Sequence, residues 1–419
     1  MAETPRVLIV AENASAKFGG EAFLPLHYFR VLRSRGIEAW LVTHARVRDE
    51  MRRAFPDDSA RLHFIEDNML HVALWKAGSR LPARIDRSTF GTALSLLTAW
   101  ELRQRVIDLV KTLKIQVVHQ PTPVSPKAPS MLFNVGAPVI IGPLNGGMTF
   151  PPNMNWLERR SERLLVGGLR LTANLANRLI PGKRHAARIL VANSRTRNAL
   201  PRLPKSVEIT EVVENGVDLT RWQIQARERH PGSFRIAFVG RLVDWKGVDL
   251  LLEAIRRVAG LADVHVGIFG DGPERARLEE KAKQLNLGSS ITFYGFVPQT
   301  RVAESLGAFD ALVLPSLYEC GGAVVLEAMS LGMPVIASNW GGPADYLDST
   351  CGILIPVSGC EPFTVALADA ILQLAQSPER CRTMGLAARN KVAALFDWER
   401  KVDTMLGIYS EAIGVDSAR

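Results

Sequence analysis

Between Leu314 and Met329 the chain reads LPSLYECGGAVVLEAM, and two carboxylates, Glu319 and Glu327, stand in it with seven residues between them. The glycine pair Gly321-Gly322 opens a helical pattern that starts at Ala323. Glu327 falls in an almost wholly apolar turn, where a carboxylate is costly to bury unless it accepts hydrogen bonds from a definite partner. Sugar hydroxyls would serve, and so would a buried arginine. Glu319 sits in the loop ahead of the helix, within reach of another part of the same ligand, so the pair would clamp an extended hydroxylated molecule. A metal site would want more ligands than these two.

Two cations flank a second loop. The apolar run Phe234 to Val239 leads into Gly240-Arg241, and Lys246-Gly247 closes the loop before a helix beginning near Val248. Charges placed there neutralise a diphosphate, and help most where a departing diphosphate gains negative charge. Gly270-Asp271-Gly272-Pro273 follows the next apolar run; two glycines and a helix-start proline explain it as a tight connection without a ligand. Near the N-terminus, Gly19-Gly20 precedes a helix, where bare amides and the helix dipole suit a phosphate, although the spacing G-x-G-x-x-G is missing. His119 ends the run Ile115 to Val118 and is followed by Gln-Pro-Thr-Pro, which predicts an imidazole at the carboxyl edge of a sheet.

These loops need a scaffold. Arg6–Ala11, Glu38–Val42, Leu62–Ile65, Ile115–His119 and Pro138–Ile141 read as short buried strands separated by helical patterns, the first followed by a helix over about Ala22–Arg35. Such alternation argues for a parallel sheet covered on both faces. A second series follows, with strands at Phe234–Val239, Val264–Phe269, Ile291–Tyr294, Ala311–Leu314 and Val335–Ala337. The polar stretch Trp222 to Ser233, ending in Pro231-Gly232, divides the two. The expected organisation is a first domain over 1–222, a second over 233–396, and a last helix over 397–419. In open α/β sheets ligands bind beyond the carboxyl ends of the strands, and two sheets in tandem would face each other across a cleft.

Composition fits that scaffold. At 419 residues, 47% hydrophobic and 22% charged, the chain is long enough for two cores and too apolar for disorder. Its polar start lacks a secretory pattern and no run approaches eighteen apolar residues, so a cytoplasmic protein is expected. Cys320, Cys351, Cys360 and Cys381 show no metal or disulfide spacing and read as free thiols. A formal charge of +9 suggests a polyanionic partner. From Trp156 to Arg188 a basic helical pattern with leucines on one side reads as a solvated face or, more sharply, as a dock for an anionic membrane surface. No aromatic-basic platform for nucleic acid is evident.

With these residues the chain resembles the family 4 retaining glycosyltransferases (glycosyl transferases group 1). That family has the GT-B fold of two Rossmann-like doubly wound parallel-sheet domains. The resemblance is strongest over Phe234–Ile355. It rests on the Glu, seven residues, Glu pattern at Glu319 and Glu327, on Arg241 and Lys246, and on Asn215-Gly216-Val217-Asp218 before the linker. It implies a metal-independent enzyme without cofactor that moves a hexose from a nucleoside-diphosphate sugar, UDP- or GDP-linked, to a saccharide or polyprenyl-linked acceptor in exopolysaccharide or envelope glycan synthesis.

By the same resemblance Glu327 would hold the donor ribose and Glu319 the transferred sugar. Arg241 and Lys246 would bind the diphosphate, and Gly20 would approach it from the first domain. Gly321, Gly322 and Ala323 would border the donor, Phe296 and Val297 would border the base, and His119 would lie near the reacting carbon. The last helix would cross back onto the first domain. Many members carry an aromatic residue where Gly321 stands, which implies a differently shaped sugar loop here. The competing readings are a non-catalytic partner or chaperone subunit of this fold, which would usually lack one of His119, Arg241, Lys246 or Glu319, and an NAD-dependent oxidoreductase, which the missing glycine fingerprint disfavours.

Overall fold

Aliphatic and β-branched runs become thirteen strands among the described residues of this computed structural model, which are 4–18, 20–79, 90–157, 173–222 and 232–417. They form two all-parallel sheets. The first has the order β3-β2-β1-β4-β5-β6-β7, built from β1 (Val7–Val10), β2 (Ala39–His44), β3 (Leu62–Ile65), β4 (Val117–Gln120), β5 (Val139–Leu144), β6 (Arg188–Val191) and β7 (Glu208–Glu211). The second has the order β10-β9-β8-β11-β12-β13, from β8 (Phe234–Val239), β9 (Val264–Phe269), β10 (Ile291–Gly295), β11 (Ala311–Leu314), β12 (Val335–Ser338) and β13 (Gly352–Ile355).

In the first sheet, strand order reverses direction between β1 and β4, which pair with Ile9 opposite His119. Leu8, Val10, Val42, Val118, Ile141 and Ile189 join one core with Val106 of the Phe90–Thr112 helix. Helices α1 (Gly20–Ser34), α2 (Arg48–Ala54) and α3 (Met69–Gly78) connect the early strands.

In the second sheet the reversal falls between β8 and β11, paired at Ile236 and Ala311. The Val248–Val258 helix shows why it forms: Val248, Leu251, Leu252, Ile255 and Val258 repeat every three to four residues and are buried, with Asp249 in the first turn and Arg256 and Arg257 in the last. It packs against the Cys360–Ala375 helix.

By contacts the chain divides into a first unit of 1–147, 165–214 and 401–419, and a second of 148–164 and 215–400. Asn215 to Trp222 therefore goes with the second unit, where the sequence leaves it with the first. Backbone pairing overrides composition there: the Val217 amide donates to the Phe396 carbonyl at 2.8 Å, the Trp398 amide to the Val217 carbonyl at 3.1 Å, and Asn215 Nδ2 to the Tyr346 hydroxyl at 3.0 Å. The polar stretch 223–231 lies outside the described residues. Of the last helix, Trp398–Ser417, the part from Lys401 onward belongs to the first unit.

The basic region 156–188 needs correction. Residues 158–172 lie outside the described residues, and two of the cations beyond them point inward. Lys183 is buried and donates to the Pro126 carbonyl at 2.6 Å, and burial pushes its ammonium down to about 7. Arg188 opens β6, not a helix, and pairs with Glu208 and Glu411. No helix among the described residues is long and apolar enough to cross a membrane.

Candidate active site

The loops that leave β8, β9, β11 and β12 lie backbone against backbone. Gly270 and Gly272 would each place a Cβ about 2 Å from a carbonyl of the β8 loop, 1.9 Å from that of Gly240 and 2.2 Å from that of Leu242, so that connection is a tight seam explained without a ligand. Gly247 has φ +67, and a Cβ there would sit 2.3 Å from the Pro315 carbonyl. With the Leu317 amide donating to the Trp245 carbonyl at 2.8 Å, this contact fixes the loop after β8 to the loop after β11. These two strands are neighbours at the reversal of the sheet, where ligands of such sheets bind.

The seam brings Lys246 and Glu319 together as an ion pair, each side chain mostly buried. Arg241, also on the β8 loop, is exposed and in no ion pair among the described residues. Gly322, with φ +79, caps the Ala323–Ser330 helix without a side-chain hydrogen bond, leaving its first amides to an outside acceptor. Glu327 lies on the second turn of that helix, 8% exposed between Leu326 and Ala328. Gly321 is buried, and its carbonyl is 2.1 Å from where a Cβ on Gly342 would stand. Glu319, Arg241, Lys246, Gly321, Gly322, Ala323 and Glu327 thus belong to two adjoining loops and one helix. Phe296 and Val297 follow β10, whose last residue, Gly295, accepts from the Gly270 amide at 2.7 Å and so adjoins the same seam. Phe296 is 76% exposed, and both residues border a cavity of about 320 Å³ with Tyr294, Phe309 and Arg301.

Two expected residues lie in the first unit. Gly20 starts α1 in open space, with nothing within 4 Å of its missing Cβ; Gly19 lies outside the described residues. His119 is not at an open edge. It is 0% exposed, its Nε2 donates to the Gly142 carbonyl at 2.7 Å, and its Nδ1 accepts from the Tyr409 hydroxyl at 2.7 Å. Burial holds the imidazole neutral, down to about 4, against the Gly142 hydrogen bond and with a smaller push from Lys401. A ring engaged at both nitrogens and closed to solvent braces β4 to the last helix; it cannot meet a substrate without breaking both bonds. The expectation that it lies by the reacting carbon gives way to that role.

Sequence reasoning missed one set of contacts altogether. Residues Met148 to Asn153 follow β5 in the chain yet belong to the second unit. There the Trp340 indole donates to the Thr149 carbonyl at 2.8 Å, and Phe150 lies 5.0 Å from the Tyr318 ring. No spacing signal could have found partners more than 160 residues apart.

Two parallel Rossmann-like sheets with a ligand-type constellation at the second sheet's reversal define the GT-B fold of glycosyltransferases. A glycosyltransferase from Rickettsia africae shares it over 98% of this chain and 99% of its own, with a TM-score of 0.68 and 17% identity. Anabaena HepE, solved with UDP, shares it over 97% and 100%, with a TM-score of 0.64 and 16% identity.

Residues 220–391, which hold the Arg241, Lys246, Glu319 and Glu327 loops, match the family Glycosyl transferases group 1. Glycogen synthase of Mycobacterium tuberculosis is 33% identical over 215 residues, half of each chain. Alpha-D-kanosaminyltransferase of Streptomyces kanamyceticus is 30% identical over 270 residues, 62% of this chain and 64% of its own. The chain spans about half the length of the first of these relatives and under two thirds of the second.

Proposed function

We propose that the chain is a retaining glycosyltransferase that moves a hexose from a UDP- or GDP-sugar to a saccharide or lipid-linked acceptor in surface or envelope glycan synthesis. The observation that carries this reading is the Lys246–Glu319 pair, held beside an uncapped helix start and the buried Glu327. In this reading Glu327 accepts from the ribose hydroxyls, and Glu319 turns from Lys246 to the sugar as the diphosphate takes its place. Gly321, Gly322 and Ala323 line the donor.

The bond from the anomeric carbon to the diphosphate oxygen breaks, and its electron pair leaves with the diphosphate. Arg241, Lys246 and the helix amides stabilise that charge, so the step is proposed without a metal ion. The acceptor hydroxyl bonds to the same face of the carbon and its proton passes to the departing phosphate oxygen. Anabaena HepE has been solved with UDP-glucose, which favours trying that donor first. Incubation with UDP- and GDP-sugars, read as slow donor hydrolysis, tests the proposal; no binding or cleavage of any of them, with Glu319→Ala as control, overturns it.

A peripheral membrane location has support in α3. Its sequence turns apolar side chains outward, with Met69 90% and Trp75 63% exposed beside exposed Leu70 and Val72. The one buried polar side chain of the helix, His71, is hydrogen-bonded to Asn68 and Thr98. Tryptophan and methionine on an open helix face suit the interface of a lipid bilayer. Flotation with anionic vesicles checks this; equal recovery of the protein and Trp75→Ala in the unbound fraction rules it out.

A further inference from the structure

We propose that the strap Met148–Phe150 is a positioning element for Glu319 and through it sets discrimination among donor sugars; the inference rests on the donor-site reading above. The strap grips the Glu319 loop at two points. On one side Phe150 packs on Tyr318, the residue before Glu319, with ring centroids 5.0 Å apart and planes inclined by 35°. On the other, the Trp340 indole donates to the Thr149 carbonyl at 2.8 Å, and Met148 fills the place beside Gly341, its Cε 2.8 Å from where a Cβ would stand.

Gly341 and Gly342 in turn hold the backbone of Glu319. The Gly342 amide donates to the Glu319 carbonyl at 2.8 Å, and a Cβ on Gly341 would lie 2.2 Å from the same oxygen. Glu319 is therefore clamped through its own carbonyl and through its chain neighbour, while its carboxylate meets Lys246. The strap is anchored further along. Met154 is fully buried, its amide bonded to the Pro151 carbonyl at 2.9 Å, and Asn153 Nδ2 donates to the Ser358 carbonyl at 3.2 Å.

Chain connectivity makes the strap a point of control. Just upstream, the Gly146 amide donates to Thr196 Oγ1 at 3.1 Å, and Gly147, with φ +73, would place a Cβ 2.7 Å from the Arg195 carbonyl. Met148 thus follows directly on a fixed turn of backbone. A wall built from a separate segment of chain can vary without disturbing Lys246 or Glu327.

Phe150→Ala, Trp340→Phe and the conservative Phe150→Tyr test this in the full chain with Cys360→Ser, where Cys320, one residue past Glu319, serves as a reporter; Cys351 and Cys381 are buried. The expected result is that Phe150→Ala and Trp340→Phe raise the rate of Cys320 labelling by a maleimide severalfold. They lower kcat with UDP-glucose about tenfold, leave KM and UDP binding within about twofold, and narrow the preference for UDP-glucose over UDP-galactose. Phe150→Tyr keeps labelling rate, kcat and sugar preference at their wild-type values. A wild-type chain inert toward every donor overturns the donor reading, whatever the labelling shows. An active wild type whose variants keep their labelling rate, kcat and sugar preference overturns the strap proposal alone, and so does an equal loss of UDP and UDP-glucose binding.

Discussion

The Nζ of Lys246 meets the carboxylate of Glu319, joining the loop after β8 to the loop after β11 by a charge pair that a diphosphate would have to displace. A mostly buried pair of this kind, still open to solvent at one side, contributes about 1 kcal/mol. Glu319→Gln frees the ammonium, so UDP or GDP alone binds about fivefold tighter while sugar transfer is lost. Titration calorimetry beside a turnover assay checks both halves; weaker nucleotide binding contradicts the competition.

Gly247 tests the seam between the same loops. Alanine there meets the left-handed backbone penalty, about 1–2 kcal/mol, and a carbonyl 2.3 Å from its Cβ. Gly247→Ala is expected to lower unfolding stability by about 2–4 kcal/mol and to abolish donor cleavage. Gly260, with φ +82 and nothing within 4 Å, carries strain alone; Gly260→Ala should cost about 1 kcal/mol and keep activity. Urea unfolding of the two variants separates contact from strain.

His119 gives a prediction in pH. Its folded value is pushed down to about 4 from an ordinary 6.5, so between those values the unfolded chain binds a proton that the folded chain refuses. The contribution leaves stability unaffected above about pH 6.5, and lowers it as pH falls toward 4, by about 3 kcal/mol in full. In His119→Gln the loss of stability across this window should be shallower than in wild type. If kcat instead follows an ionisation near neutral pH that this variant removes, the imidazole reaches the substrate after all.

Glu327 predicts a loss confined to the ligand. Charge-assisted hydrogen bonds contribute about 1.5–3 kcal/mol, so Glu327→Gln should weaken nucleoside-diphosphate binding roughly ten- to hundredfold. Binding of inorganic pyrophosphate, which has no ribose, should stay within twofold. Parallel losses for both ligands would remove the ribose assignment.

Much of the second unit is legible in the amino acids because its strands are short unbroken apolar runs. Phe234–Val239, Val264–Phe269 and Ala311–Leu314 match their expected bounds. In contrast, β7 reads Glu-Ile-Thr-Glu and lies at the edge of its sheet, so it shows no buried run, and β6 begins with an arginine whose charge is met, among the described residues, by Glu208 and Glu411. The carboxylate and cation loops were visible because charge beside glycine at strand ends has few structural uses. His119 shows the limit of that logic: its place at the end of β4 is right, but Tyr409, which occupies its Nδ1, lies 290 residues away. The strap on Tyr318 and Trp340 leaves no local trace for the same reason.

The Tyr409–His119 bond also bears on synthesis. The first unit begins ahead of the second in the chain, but its core is closed by the segment from Lys401 onward, which follows residues 215–400 of the second unit. Residues 215–400 are therefore complete while their predecessor still waits for its final helix, reversing the usual order in which nascent domains mature. Until then the ring of His119, with Tyr28 packed at 4.7 Å, lacks its Tyr409 partner, and a chaperone that guards emerging polypeptide would be needed longest by the part made earlier.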